Sequence, residues 1–302
     1  GSKKGIEFFE QAAALDPGYA EPLVGISDCY LFLGLPDAMS GTLSPQESIP
    51  KARAAAEKAL EIGGPDAETF ASLAHAKSKE YDWEGAEKDY RHSLKLNPKY
   101  SLSHLFFGIF LALLGRPDEA LTEIKAALEL DPLSLPINAG VGLVDYVARR
   151  YDEAIDQLQK TLEMEPMFPL AHRWLGMALV EKGRLAEAAE SFQKVVDLTR
   201  RSAMSLTSLA HAHAVAGENE NANNILDELL SLAQKSYVSP YSIATIYAGL
   251  NEIEQTLEWL EKAYGERNVE LLWIRIDPRF DSIRHEPRFE SILHRMQLQA
   301  NG

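Results

Sequence analysis

The histidines are the side chains of this sequence whose type and spacing could most readily provide metal ligands. His211 and His213 are two residues apart, and His104 and His172 are 68 residues apart, which is twice 34. Side chains two residues apart on a helix point to different faces, so His211 and His213 do not share a metal ion. Zinc requires three or four convergent donors. We therefore predict no metal site and interpret these histidines as packing or interface residues.

Catalytic motifs are absent from the sequence. It contains no glycine-rich phosphate loop, no Gly-x-Ser-x-Gly and no His-Glu-x-x-His, which are the patterns that place a phosphate site, an activated serine or a zinc-bound water. Its carboxylates are many but scattered, as is typical of solvated helix faces. The single cysteine, Cys29, excludes a disulfide framework. We predict a protein that is not an enzyme, with no catalytic residues and no cofactor.

The charge of the chain bears on the kind of partner it can have. Its 30 basic and 45 acidic residues give a net charge of −15, which disfavours contact with phosphate backbones and anionic lipid surfaces. The longest apolar run, Leu105 to Leu114, is too short to span a bilayer. We predict no nucleic-acid partner for this segment and no membrane association. The absence of disulfides favours a cytoplasmic location, with the periplasm as the alternative.

Small residues recur every 34 residues along most of the chain. A period of this length is the sequence signature of a helical solenoid, in which each unit buries its apolar face against the next. The first series is Ala74, Gly108, Gly142, Gly176, Ala210 and Ala244. A second series with the same step is Ala52, Ala86, Ala120, Ala154, Ala188 and Ala222. The chain is therefore predicted to be all-α.

Each repeat contains two helices joined by a short turn. In the unit from Ser101 to Pro132, apolar and small residues recur at the spacing of one helical face, and Gly115 then provides a left-handed residue after the first helix. Asp131 precedes Pro132, which disfavours helix there and ends the second helix. We expect Gly108 to face Ala120, because two helices approach closely only where one side chain is nearly absent.

The repeated pattern resembles the tetratricopeptide repeat family. In the unit from Pro169 to Arg200, the residues that carry the resemblance are His172, Leu175, Gly176, Leu179, Ala188, Phe192 and Val195. The resemblance extends over nearly the full chain. It implies an all-α, right-handed superhelical solenoid of helix pairs with a C-terminal capping segment, and it implies a scaffold that binds a protein or peptide.

The register of the repeats predicts four segments. Residues 1–17 match the second helix of a unit alone, residues 18–64 form a unit with a loop insertion at about 35–50, and residues 65–268 form six units of 34 residues. Pro36, Pro45 and Pro50 favour the loop. Residues 269–302 are expected to cap the exposed apolar end. The array also resembles the C-terminal repeat regions of bacterial multidomain regulators, where it follows winged-helix, serine/threonine kinase or cyclase domains.

The family resemblance implies a concave groove lined by the first helix of each unit. We predict that a partner protein or peptide buries apolar side chains there. In the alternative interpretation the superhelix curls, or a second copy packs in, and the same residues are simply buried. The groove residues transferred from the family pattern are Leu102, Leu105, Ile109, Leu113, Leu143, Tyr146, Val147, Arg173 and Met177, with His75 and His211 as polar positions.

Two classes of function remain open at this point. The chain is either the sensing or interaction region of a larger bacterial regulatory protein, or a spacer or homodimerisation module for an N-terminal catalytic or DNA-binding domain. An open groove in a monomer favours the first class. A groove buried in a symmetric dimer favours the second.

Overall fold

The computed structural model describes residues 2–33 and 43–298, and this part of the chain contains α-helices and two short 3₁₀ helices but no strand. The first eight α-helices are α1 Ser2–Leu15, α2 Glu21–Leu33, α3 Pro45–Gly63, α4 Ala67–Lys79, α5 Trp83–Leu96, α6 Ser101–Leu113, α7 Pro117–Leu130 and α8 Leu135–Val147. The others are α9 Tyr151–Met164, α10 Pro169–Glu181, α11 Leu185–Leu198, α12 Ala203–Val215, α13 Asn219–Ala233, α14 Pro240–Gly249, α15 Ile253–Gly265 and α16 Pro287–Arg295.

Each even-numbered helix from α2 to α14 packs on the helix that follows it, and each from α2 to α12 also packs on the next even-numbered helix. Helix α1 packs on α2 in the position of a second helix without its own partner. The even-numbered helices therefore form one continuous layer, and the odd-numbered helices form another. This arrangement confirms the predicted all-α solenoid of helix pairs.

The small residues of the repeat lie where the two helices of a pair come closest. A Cβ atom on Gly108 would lie 3.1 Å from the carbonyl oxygen of Ala120 and 3.2 Å from the backbone nitrogen of Ile124. On Gly176 it would lie 2.7 Å from the ring of Phe192. The expected contact between Gly108 and Ala120 is confirmed. A side chain at these positions would push the two helices apart.

The turns between successive units share a hydrogen bond from a side chain to a proline carbonyl. In three consecutive units, a polar residue near the start of the even-numbered helix donates to the carbonyl oxygen of the proline six residues earlier. The donors are His104 Nε2 to Pro98 at 3.0 Å, Asn138 Nδ2 to Pro132 at 2.9 Å and His172 Nε2 to Pro166 at 2.9 Å. The structural role of His104 and His172 is thus to fix the turn between units.

Helix α3 begins earlier than the sequence predicts, because residues 45–50 are helical and not loop. Ser44 caps this helix, and its backbone nitrogen donates to the carboxylate of Glu47 at 3.1 Å. Pro45 is the first residue of the helix, where its missing N–H has no intrahelical partner to lose. Pro50 follows just beyond the first turn and is accommodated inside the helix. The remaining part of the predicted insertion, residues 35–42, lies outside the described residues.

After α15 the chain forms two 3₁₀ helices, Val269–Trp273 and Pro278–Ile283, before α16. Two related sequences, Asp-Pro-Arg-Phe at 277–280 and Glu-Pro-Arg-Phe at 286–289, begin the second 3₁₀ helix and α16. Phe280 and Phe289 are both fully buried, with ring centroids 6.2 Å apart. Over residues 2–33 and 43–298, no helix is both long and apolar enough to cross a membrane.

Candidate partner-binding groove

The even-numbered helices place all eleven predicted groove residues on the inner layer of the solenoid. They do not form one open surface, because six of the residues are buried and keep at most 6% exposure. The buried residues are Leu105, Leu113, Leu143, Tyr146, Met177 and His211. Leu102 is exposed at 38%, and His75, Ile109, Val147 and Arg173 are half-buried. Six of the eleven predicted groove residues are therefore buried in the fold, as in the alternative interpretation of the sequence.

The C-terminal segment, residues 269–298, occupies much of the groove. The Arg275 guanidinium donates to the carbonyl oxygen of Leu114 at 2.7 Å, at the C-terminal end of α6. Leu272, which is fully buried, clusters with Leu113 of the same helix. At the end of α8, Arg149 forms an ion pair of 2.9 Å with Asp281. The segment thus runs across the C-terminal ends of the groove-lining helices.

The same segment also covers the last repeat, as the sequence predicts for a cap. Phe289 and Ile292 of α16 are fully buried in one cluster with Leu257 and Leu260 of α15. The capping segment therefore has two faces. One closes the end of the array, and the other fills the concave side.

A buried acidic residue organises the segment inside the groove. Asp277 is 3% exposed and accepts hydrogen bonds from Tyr241 Oη at 2.6 Å and from Arg279 Nη2 at 2.6 Å. Its side chain also caps the second 3₁₀ helix by accepting from the backbone nitrogen of Arg279 at 3.1 Å. The Arg279 guanidinium and these hydrogen bonds hold the pKa of the Asp277 carboxyl below its ordinary value, against the opposing effect of burial.

Two further titratable groups of the groove are shifted by burial. Desolvation lowers the pKa of His211 to about 4, and His211 therefore stays neutral at pH 7 while its Nδ1–H donates to the carbonyl oxygen of Thr245 at 2.8 Å. Burial beside Asp277 raises the pKa of Glu181 to about 7. Over the described residues, no cluster of three or more His, Cys, Asp or Glu side chains could hold a metal ion.

The concave side keeps an accessible strip of four residues, which we call the α6 strip. It consists of Leu102, Phe106 and Ile109 on one face of α6, together with His75 of α4, whose ring centroid is 4.9 Å from that of Phe106. Sequence reasoning missed Phe106, because the family pattern does not place that position on the groove. Leu102 and Phe106 lie in the N-terminal half of α6, whereas Ile109 and His75 lie in the C-terminal halves of α6 and α4.

Residues 71–134 and 142–203 match the tetratricopeptide repeat family model. This match shows that the part of the chain from 71 to 203 consists of tetratricopeptide repeats, and the described helices on either side continue the same packing of helix pairs. No curated protein sequence matches the chain.

Solved structures that share this fold include the following three. IFIT1, solved as a monomeric mutant with m7Gppp-AAAA, has a TM-score of 0.67 and 18% identity, over 98% of this chain and 67% of that chain. The Cut9–Hcn1 hetero-tetramer of APC/C has a TM-score of 0.63 and 14% identity, over 96% of this chain and 52% of that chain. PilW, a type IV pilus biogenesis factor, has a TM-score of 0.55 and 21% identity, over 67% of this chain and 91% of that chain.

Proposed function

We propose that this chain is a protein-interaction scaffold that binds a peptide segment of a partner along the α6 strip. Tetratricopeptide repeat proteins are interaction scaffolds, and their repeats bind proteins or peptides. The observation that carries the proposal is the exposure of Leu102 beside the half-buried Phe106 and Ile109, on a concave face where most of the other predicted groove residues are buried. An amphipathic helix or an extended peptide would bury apolar side chains against these three residues.

The charge of the chain narrows the class of partner. The IFIT1 structure contains a capped RNA, whereas this chain carries a net charge of −15 and would repel a ligand rich in phosphates. The partner we propose is therefore a polypeptide. The proposed role as the interaction region of a larger bacterial regulator rests on the resemblance of the repeat array to the C-terminal regions of such regulators.

A selection from a displayed random-peptide library tests the α6 strip. Peptides enriched on the wild-type chain should carry apolar side chains, and they should lose binding to the double variant Leu102→Glu with Ile109→Glu. Leu105 is unsuitable for this test because it is 3% exposed and packs against Gly140 of α8. The matched control is Leu133→Glu, at a residue that is 78% exposed on a turn outside the lining helices. Equal binding by the double variant would contradict the proposal.

A structural role is the second candidate function, and the filled groove favours it. Because residues 269–298 already cover the C-terminal ends of the groove-lining helices α6 and α8, the array would serve mainly to space or dimerise an attached domain. Light scattering over a concentration series separates the two candidates. A stable dimer whose formation is blocked by the Leu102→Glu and Ile109→Glu double variant would favour the structural role.

A further inference from the structure

Beside the filled part of the groove lies a cavity of about 180 Å³ that the partner-binding proposal does not use. Its walls come from α4, α8, α10, α12, α14 and the C-terminal segment. Trp174 and Trp273 form an aromatic wall, with ring centroids 5.9 Å apart. Arg173 and Trp273 are only half-buried, so the cavity is accessible from solvent.

Two cations on the wall have no anionic partner in the described part of the chain. Arg173 Nε is buried and makes no hydrogen bond, although its guanidinium lies 4.7 Å from the ring centroid of Trp174. Lys79 has a pKa lowered to about 8 by desolvation, with no carboxylate acting against that shift. A buried N–H donor without a hydrogen bond is costly. Both groups are therefore arranged for an anion that the described part of the chain does not supply.

The cavity wall carries fewer carboxylates free of an ion pair than it carries unpaired cations. Asp277 is fully engaged by Arg279 and Tyr241. Glu270 accepts from the Ser242 hydroxyl at 3.0 Å and is the one remaining acid on the wall. Since Lys79 and Arg173 exceed Glu270 by one charge, a ligand with a single negative charge would neutralise the cavity.

A buried hydroxyl also faces the cavity without a partner. Tyr146 is 2% exposed and lines the cavity, and its Oη makes no hydrogen bond in the part of the chain that the structure describes. Most buried polar atoms in proteins are hydrogen-bonded, so an orphan hydroxyl in a cavity indicates a missing partner. An oxygen of a bound ligand would complete the set of Arg173, Lys79 and Tyr146.

We propose that this cavity binds a small organic monocarboxylate with an aromatic body. The carboxylate would accept from the Arg173 guanidinium and from Lys79, since a guanidinium presents a planar fork of donors that matches a carboxylate. The aromatic body would lie against Trp174 and Trp273. Because drug-sized pockets measure about 300–1,000 Å³, this smaller cavity fits a ligand on the order of ten non-hydrogen atoms. The chain would then respond to a metabolite independently of its peptide partner.

Titration of the purified chain with phenylacetate tests the proposal, with phenylacetamide as the neutral isostere and inorganic phosphate as the anion without an aromatic body. The fluorescence of Trp174 and Trp273, two of the four tryptophans, should change on binding, and calorimetry should confirm the affinity. Phenylacetate should bind about tenfold or more tightly than phenylacetamide, because only the acid forms charge-assisted hydrogen bonds. Failure of phenylacetate to bind, or equal binding of the amide or of phosphate, would overturn the proposal.

A pair of variants tests the residue assignment. Arg173→Gln should weaken phenylacetate binding about tenfold or more, whereas Arg184→Gln, at an exposed arginine paired with Glu187, should leave it unchanged. Arg173→Gln should also raise the melting temperature of the free chain, because it removes a buried Nε–H that makes no hydrogen bond. A merely structural arginine would give the opposite shift. Unchanged binding by Arg173→Gln would refute the assignment.

The peptide-binding proposal and the small-acid proposal can be refuted independently of each other. The Leu102→Glu and Ile109→Glu double variant should bind phenylacetate normally, because neither residue lines the cavity. Binding of acidic peptides without binding of phenylacetate would show that the cavity belongs to the peptide site and would overturn the small-acid proposal alone.

Discussion

At the level of single residues, the approach of two helices depends on the absence of one methyl group. A Cβ on Gly176 would lie 2.7 Å from the Phe192 ring, and Phe192 is fully buried and cannot move away. We predict that Gly176→Ala costs about 1–3 kcal/mol of stability through overpacking. The control is Gly265→Ala, at the end of α15, where no atom lies within 4 Å of the added Cβ. Chemical denaturation of both variants checks the prediction, and an equal effect on the two would contradict it.

The two Pro-Arg-Phe sequences of the C-terminal segment provide two comparable ion pairs, one buried and one at the surface. Asp277 and Arg279 are buried, whereas Arg288 pairs with the more exposed Glu261 at 2.9 Å. We predict that Asp277→Asn costs about 3–5 kcal/mol, because it leaves the Arg279 guanidinium buried without its anion. Glu261→Gln should cost no more than about 1 kcal/mol, as expected for a surface pair. Similar losses in urea unfolding would argue against a buried role for Asp277.

The neutral state of His211 makes stability depend on pH. The folded protein binds this proton only near pH 4, where burial has lowered the pKa of His211, whereas an unfolded histidine binds it near pH 6.5. The unfolded state therefore takes up more protons, and stability falls as the pH falls from about 6.5 toward 4. We predict that the loss, on the order of 3 kcal/mol from the difference of the two pKa values, is absent in His211→Gln. Parallel stability profiles of the two proteins over this pH range would contradict the prediction.

At the level of helices, the C-terminal segment is the element whose packing matters most for the groove. Leu272 is fully buried against Leu113. We predict that Leu272→Ala costs about 2–5 kcal/mol, because it removes buried methyl groups and leaves a cavity. Hydrogen exchange should rise at the C-terminal ends of α6 and α8 before it rises elsewhere. The exposed Leu133→Ala is the control. A rise in hydrogen exchange spread evenly over the chain would show that the segment does not stabilise the ends of α6 and α8 locally.

The period of small residues is sufficient to predict the helix pairs, because the contact it encodes is local: Gly108, Gly142 and Gly176 each lie against the second helix of their own unit. The sequence mispredicts the start of α3 because proline is typically a helix breaker, whereas Pro45 occupies the first helical position, which favours proline. The sequence does not predict that the C-terminal segment packs into the groove. Arg275 contacts Leu114 across 161 residues, and no periodic pattern encodes a contact of that range.

At the level of the whole molecule, the solenoid closes on itself. The Trp83 indole, at the start of α5, donates to the carbonyl oxygen of Met296 at 3.0 Å, just beyond α16. The Gln46 side chain of α3 donates to the carbonyl oxygen of Glu266, beyond α15. In most repeat proteins each unit contacts only its neighbours. Here the early and late repeats also contact each other, so unfolding of one end is coupled to the other.

This closure predicts the association state of the chain. With its concave side filled, the chain should be a monomer of 33.5 kDa in light scattering at all concentrations. Removal of residues 269–302 should expose Leu113 and the apolar face of α15, including Leu257 and Leu260, which are now covered by the segment. Because exposed apolar patches of this kind drive association, the truncated chain should form dimers or larger species whose proportion rises with concentration. If the full chain is already a dimer and truncation leaves its mass per chain unchanged, the surface that joins two copies lies elsewhere and the segment serves only the single molecule.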